Sequence, residues 1–175
     1  MSNLAPNNAN KVIALLSSNN SLQGGLLVSL IESELGLKQC SVVHEQEEIP
    51  NDCDLLLIDC SGESYEHLLE IASSIHSSEE TYPSALLNAE QDSEHENLLD
   101  WPSISGIFYV DTEQHQLIRG LQCLLEGEFW VPRKLLHHLL QKNRKAPKIR
   151  NTDIKLTRRE VQILKLIQAG ASNAH

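Results

Sequence analysis

Asp54-Leu55-Leu56-Leu57-Ile58-Asp59 is the stretch on which the fold turns. Four large apolar residues follow one another with no polar residue between them, and a carboxylate stands at each end. A half-exposed strand alternates apolar with polar residues, whereas a continuous run marks a strand covered on both faces, as in parallel sheets flanked by helices. The chain before it fits the same theme. Lys11 to Ser17 reads as a first strand, about Leu22 to Leu35 as a helix with Leu22, Leu26 and Leu30 on one face, and Cys40 to His44 as a short second strand. After it, Ser64 to Ser77 reads as a helix, Ser84 to Asn88 as a weaker strand, the Glu-rich stretch to Asp100 as a poor short helix, and Gly106 to Val110 as a fifth strand. The helix from about Glu113 to Glu126 is the clearest, because Leu117, Leu121, Leu124 and Leu125 share a stripe.

Buried strands alternating with crossover helices predict an α/β domain. Five strands with a count of five helices, four of them placed above, give a flavodoxin-like, doubly wound, five-stranded parallel sheet. The 175 residues have room for one such domain and a fragment of another. No run of about 18 apolar residues and no signal-peptide pattern occurs, which predicts a soluble cytoplasmic protein with no membrane partner. Cys40, Cys53, Cys60 and Cys123 are dispersed, without the close pairing of a zinc or redox motif, and are expected to be reduced and mostly buried. His137 and His138 are adjacent, so they point about 100° apart on a helix and cannot share a metal. No phosphate loop, nucleophile elbow or acid-base pair appears, so the sequence predicts neither an enzyme nor a metal site.

Charge divides the chain. Residues 1–132 carry 22 Asp/Glu against three Lys/Arg, while residues 133–175 carry 11 Lys/Arg against Asp153 and Glu160. An acidic body joined to a basic segment points to nucleic acid as a partner of the latter. Within the basic segment, Thr157 and Glu160 form a capping box and Leu156 with Val161 the accompanying hydrophobic staple, so a helix starts here. Val161, Leu164 and Ile167 make its buried face, Gly170 offers a left-handed stop, and Ser172 can cap a second helix.

Leu156-Thr157-Arg158-Arg159-Glu160, followed by Gly170-Ala171-Ser172-Asn173, resembles the opening of the LuxR-type (NarL/FixJ-type) helix-turn-helix. That resemblance implies a DNA-binding regulator whose recognition helix enters the major groove. The sequence ends at His175, within the first turn of the second helix, so the recognition helix would lie beyond it and a longer regulator is expected. A doubly wound domain before such a helix-turn-helix resembles a response-regulator receiver. A working receiver has acidic residues after its first strand to hold Mg²⁺, a phosphoacceptor Asp ending the third, a Ser/Thr after the fourth and a Lys after the fifth. Here Asp59 stands in the phosphoacceptor position, but Ser17, Ser18, Asn19 and Asn20 follow the first strand. Asn88 takes the hydroxyl position and Val110 the lysine position. Phosphoryl transfer depends on a divalent cation and fixed positive charge, so Asp59 is expected to be vestigial, a strand-end carboxylate hydrogen-bonded to loop amides.

Pro132 suits the first turn of a sixth helix carrying Leu135, Leu136, Leu139 and Leu140, a leucine face fit to pack on the body or to pair protomers. A receiver with such an extra helix resembles the CsgD and VpsT group of LuxR-type biofilm regulators, whose VpsT-like members bind cyclic di-GMP between protomers at W-[FLM]-[TS]-R. Trp130-Val131-Pro132-Arg133 matches that motif at its first and last positions only. An arginine plane can stack on guanine and bond a phosphate, but Pro132 lacks both the hydroxyl and the N–H of a Thr or Ser. Two readings stand for Trp130, a core plug between the fifth and sixth helices or a ligand contact.

The sequence thus divides into a pseudo-receiver with its sixth helix (residues 1–141), a basic linker (142–155) and the start of a helix-turn-helix (156–175), with Thr157, Arg158, Arg159 and Glu160 at the helix start. The resemblance implies a homodimeric transcription regulator that binds DNA through the complete C-terminal domain. No cofactor is required, and cyclic di-GMP at Trp130, Val131, Pro132 and Arg133 is the implied effector. The alternatives are phosphorylation control at Asp59 and a ligand-independent protein-interaction module.

Overall fold

The computed structural model describes residues 8–18, 22–45, 47–77, 82–91 and 93–144, with 138 and 140–144 in backbone only. The helix-turn-helix start expected at Thr157, Arg158, Arg159 and Glu160, residues 145–155 of the linker expected at 142–155, and Asn19 and Asn20 lie outside the described residues, while 142–144 belong to the helix before the linker rather than to the linker itself. The chain divides into two compact units, residues 1–130 and 131–175.

The first unit is built on a sheet of β1 (Val12–Leu16), β2 (Gln39–Val43), β3 (Leu55–Asp59), β4 (Ser84–Ala89) and β5 (Ile104–Tyr109). The strands run in the order β2-β1-β3-β4-β5 and every neighbouring pair is parallel, the flavodoxin-like arrangement expected. The helices are α1 (Leu22–Leu35), α2 (Tyr65–Ser77), a 3₁₀ helix (Glu94–Asp100) and α3 (Gln114–Leu125).

The apolar run of β3 lies at the centre of the sheet. Leu55, Leu56, Leu57 and Ile58 are all essentially inaccessible, each worth roughly 1.5–3 kcal/mol of burial. Alternation decides which side each serves. Ile13, Leu15, Leu55, Leu57, Ala85, Leu87 and Phe108 form one core cluster with Val28, Ile31 and Leu35 of α1 and Leu117, Leu121 and Leu124 of α3. Leu68, Ala72 and Ile75 of α2, with Leu98 and Leu99 of the 3₁₀ helix, are buried outside that cluster. The four cysteines are free, and Cys40, Cys53 and Cys60 are buried. Burial pushes the Cys40 and Cys60 thiols up to about 12.

Three expectations need correction. The face of α1 is not Leu22, Leu26 and Leu30: Leu22 is 82% and Leu26 64% exposed, while Val28, Ile31 and Leu35 are buried. This helix is apolar almost all round, so periodicity does not choose a side, and the i, i+3, i+7 set that faces the sheet is the one used. Next, the count of five body helices fails between β2 and β3, where the described residues of 44–54 form turns. That segment holds Ile49 as its one large aliphatic residue, three glutamates and a Pro50-Asn51-Asp52 turn sequence, and cannot make an amphipathic helix. Finally, β4 is no weak strand. It lies between β3 and β5 with Ser84, Ala85, Leu86, Leu87 and Ala89 buried.

In the second unit, α4 (Arg133–Arg144) is the helix expected after Pro132. The Pro132 carbonyl accepts from the N–H groups of Leu135 and Leu136, both at 3.0 Å, so Pro132 sits at the cap where its missing N–H costs nothing.

Candidate functional site

Parallel register assembles the first candidate site. Leu16 pairs with Ile58 and Asp59 with Leu87, so the residues following β1, ending β3 and near the end of β4 come together at the carboxyl edge of the sheet. This edge, where α1 and α2 leave the strands on either side of β1 and β3, is the customary ligand crevice of an open α/β sheet. The Asp59 carboxylate accepts from Ser17 Oγ at 3.2 Å on Oδ2, and from Asn88 Nδ2 at 2.9 Å and the Ser61 N–H at 3.1 Å on Oδ1. Ser17 is buried and Asn88 half-buried. Asn88 has φ 54°, a left-handed conformation that asparagine tolerates better than other side-chain-bearing residues, and this turns its amide onto Asp59. Val110 lies just past β5 and is 68% exposed, its N–H bonded to the Ala89 carbonyl at 3.1 Å.

Every described donor to Asp59 is therefore neutral. A hydroxyl, a side-chain amide and a backbone N–H orient a carboxylate well. They carry no full positive charge to place against a phosphoryl group. Asp59 ends β3 as the sequence predicts, whereas Asn88 lies one residue inside the end of β4 and Val110 one residue past β5; the Ser17 and Asn88 bonds follow from the register and were not legible beforehand.

The second candidate begins where α3 ends. Gly127 has φ 83°, its N–H reaches the Leu124 carbonyl at 3.0 Å, and the Glu128 N–H reaches that of Cys123 at 2.9 Å, a Schellman stop. The chain then doubles back along β5. Trp130 N–H donates to the Ser105 carbonyl at 3.1 Å and the Trp130 carbonyl accepts from Ile107 N–H at 3.0 Å, so its backbone extends the sheet edge. The half-buried indole stacks on Phe108 with ring centroids 6.2 Å apart and lies over Gly120, which leaves room for it. Trp130 is thus packed in the first unit against β5 and α3, whereas the core-plug reading puts it between the fifth and sixth helices; its backbone pairing with β5 fixes this place. Val131 and Pro132 are half-buried, and Arg133 is exposed in the first turn of α4 in the second unit.

A third group, which sequence reasoning missed, joins residues from separate elements. His67 Nε2 lies 2.6 Å from Glu45 Oε1 and 3.6 Å from Glu63 Oε2, and His67 Nδ1 lies 3.8 Å from Glu70 Oε2. The bond to Glu45 holds the His67 pKa above its usual value and that of Glu45 below its own. The i, i+4 spacing of Glu63 and His67 was the available signal, but Glu45 lies on another connection.

Residues 15–133 match the family described as "VpsT-like, receiver domain". The chain belongs to this family. The relatives of this VpsT-like receiver are transcriptional regulators by name. The probable csgAB operon transcriptional regulatory protein of Salmonella typhimurium is 27% identical over 161 residues, 91% of this chain and 74% of that protein. The CsgBAC operon transcriptional regulatory protein of Escherichia coli K12 is 34% identical over 88 residues, half of this chain and 41% of that one. Among solved structures, the regulatory domain of the master biofilm regulator CsgD superposes with a TM-score of 0.64 at 22% identity, over 74% of this chain and 98% of that domain, and shares the fold. No helix among the described residues is long and apolar enough to cross a membrane.

Proposed function

We propose that the chain is the regulatory part of a DNA-binding transcription regulator, a pseudo-receiver that controls dimerisation without phosphate. The observation that carries this reading is the neutral collar on Asp59, where the side-chain donors are the Ser17 hydroxyl and the Asn88 amide and neither brings positive charge. A phosphoacceptor needs a divalent cation and fixed positive charge beside it. Here the described donors to Asp59 are neutral, the described residues after β1 are serines, and the lysine position is Val110. Dimerisation would place two C-terminal domains on paired half-sites, and the basic segment would add sequence-independent attraction to phosphates. The names of the csg operon regulators point the same way, toward control of biofilm matrix genes.

Cyclic di-GMP is the proposed effector, and Arg133 is its principal contact. Its guanidinium is exposed and able to stack on a guanine face or bond a phosphate in bidentate fashion. Trp130 packs on Phe108 and over Gly120, which leaves less of its half-buried indole for a ligand. The same packing favours a second reading, dimerisation independent of nucleotide. Titration of cyclic di-GMP into the chain, with Arg133→Ala alongside and sedimentation to follow association, separates the two. Binding lost in Arg133→Ala and coupled to dimer formation supports the nucleotide switch. Dimerisation indifferent to nucleotide supports the second reading, and a monomer under all conditions refutes both.

A further inference from the structure

Glu45, on the turn after β2, Glu63, on the β3–α2 connection, and His67, in the first turn of α2, each offer one ligand atom, and these atoms lie within 4.8 Å of one another. Ser18 Oγ, after β1, lies 3.0 Å from Glu45 Oε1 and also in hydrogen-bond contact with Glu63 Oε1, and its single proton serves one of them at a time, so the two carboxylates are gathered around this hydroxyl. We propose that these three side chains form a binding site for a divalent transition-metal ion, with zinc as the probe that best fits the donor set.

The chemistry selects the class of ion. Magnesium and calcium take oxygen donors, whereas one imidazole with two carboxylates suits zinc and its neighbours. Three protein ligands leave the fourth position to water, and Glu45 and His67, 37% and 33% exposed in their side chains, leave that side open. The spacing is close to what coordination requires. Donors about 2.0–2.1 Å from a tetrahedral ion are roughly 3.3 Å from one another. The 3.6 Å between His67 and Glu63 is near that edge length, and the 2.6 Å between His67 and Glu45 opens by roughly 0.7 Å through a side-chain shift of exposed Glu45. Glu70 stands 3.8 Å from the other ring nitrogen, on the side where a carboxylate holds an imidazole in the tautomer that offers Nε2 to a metal.

An ion here would clamp the β2–β3 connection, which has no helix among its described residues to anchor it, to the start of α2. The Asp59 donors take no part, and the inference stands independently of the cyclic di-GMP reading.

The test is isothermal titration of zinc chloride into the full chain, kept reduced, with His67→Gln, Glu63→Gln and a His137→Gln/His138→Gln control. His137 is exposed and His67 and Glu63 are part-exposed, and circular dichroism confirms that each variant is folded. One equivalent should bind the wild type and the control, with affinity lower by about tenfold or more in both His67→Gln and Glu63→Gln. Absence of binding overturns the proposal, and so does an affinity unchanged in either variant, which would put the zinc elsewhere. Cobalt gives a second readout: a visible absorption band of a four-coordinate ion, present in the wild type and lost in His67→Gln.

Discussion

Replacing Gly120 with alanine tests whether Trp130 is a packed element of the receiver. An alanine Cβ there would overlap Phe108 Cε1 and stand 2.7 Å from Trp130 Cδ2 and Cε2. Carbon atoms in favourable contact sit about 3.5–4.0 Å apart, so both rings would have to retreat by about 1 Å. Neither can do so freely. Phe108 is 1% exposed on β5, and Trp130 is tied to that strand by two backbone hydrogen bonds. Overpacking of this kind costs about 1–3 kcal/mol, while removing a glycine from a helix interior returns about 0.5–1 kcal/mol. The net expectation is a loss of about 1–2 kcal/mol, and about 2–4 °C in Tm for each kcal/mol at this chain size. Urea unfolding followed by fluorescence in a Trp101→Phe background, which leaves Trp130 as the only tryptophan, measures both the stability and the indole environment. A Gly120→Ala protein stabilised by about 0.5 kcal/mol or more with an unaltered Trp130 spectrum would refute the packing argument.

Three further outcomes are expected. Leu26→Ser should change stability by less than about 0.5 kcal/mol, because Leu26 is 64% exposed, whereas Ile31→Ala on the buried side of α1 should cost about 2–5 kcal/mol; denaturant midpoints decide it. Asn88→Gly should lose about 1–2 kcal/mol by deleting the amide donor to Asp59, and Asn88→Ala about 1–2 kcal/mol more because alanine resists φ 54°; equal losses in the two variants would contradict the strain argument. With EDTA present, the stability difference between wild type and His67→Gln should be greatest between pH 4.5 and 6.5, the ordinary values of the pair. The raised His67 pKa gives stability that is full below 6.5 and lost as pH rises through the folded value, and the lowered Glu45 pKa gives stability that is lost as pH falls through its own, so a difference growing above pH 7 would contradict the assignment. Solvent exposure limits the effect to about 0.2–1 kcal/mol.

How far the sequence carried the reading depended on how local each signal was. The β3 run announced a doubly covered strand, and the stripe of α3 announced its buried face, because a single element contained the whole pattern. The face of α1 was illegible for the opposite reason: Leu22, Leu26 and Leu30 offer as good a stripe as Val28, Ile31 and Leu35, and only the position of the sheet chooses. Asp59 could be placed from the strand pattern, and its missing partners from the residues that follow each strand. The bonds from Ser17 and Asn88 required register and a left-handed residue that composition does not reveal. Trp130 was legible as an aromatic with two possible roles, and its packing against Phe108 rests on Gly120, ten residues earlier. Glu45, Glu63 and His67 were ordinary surface residues in the sequence and became a cluster only when two connections met.

A receiver that works without phosphate is tested most directly by intact mass after incubation with acetyl phosphate and Mg²⁺. The neutral collar on Asp59 predicts an unmodified chain under conditions that label a phosphorylatable receiver treated in parallel. A phosphoryl adduct that disappears in Asp59→Asn would contradict it.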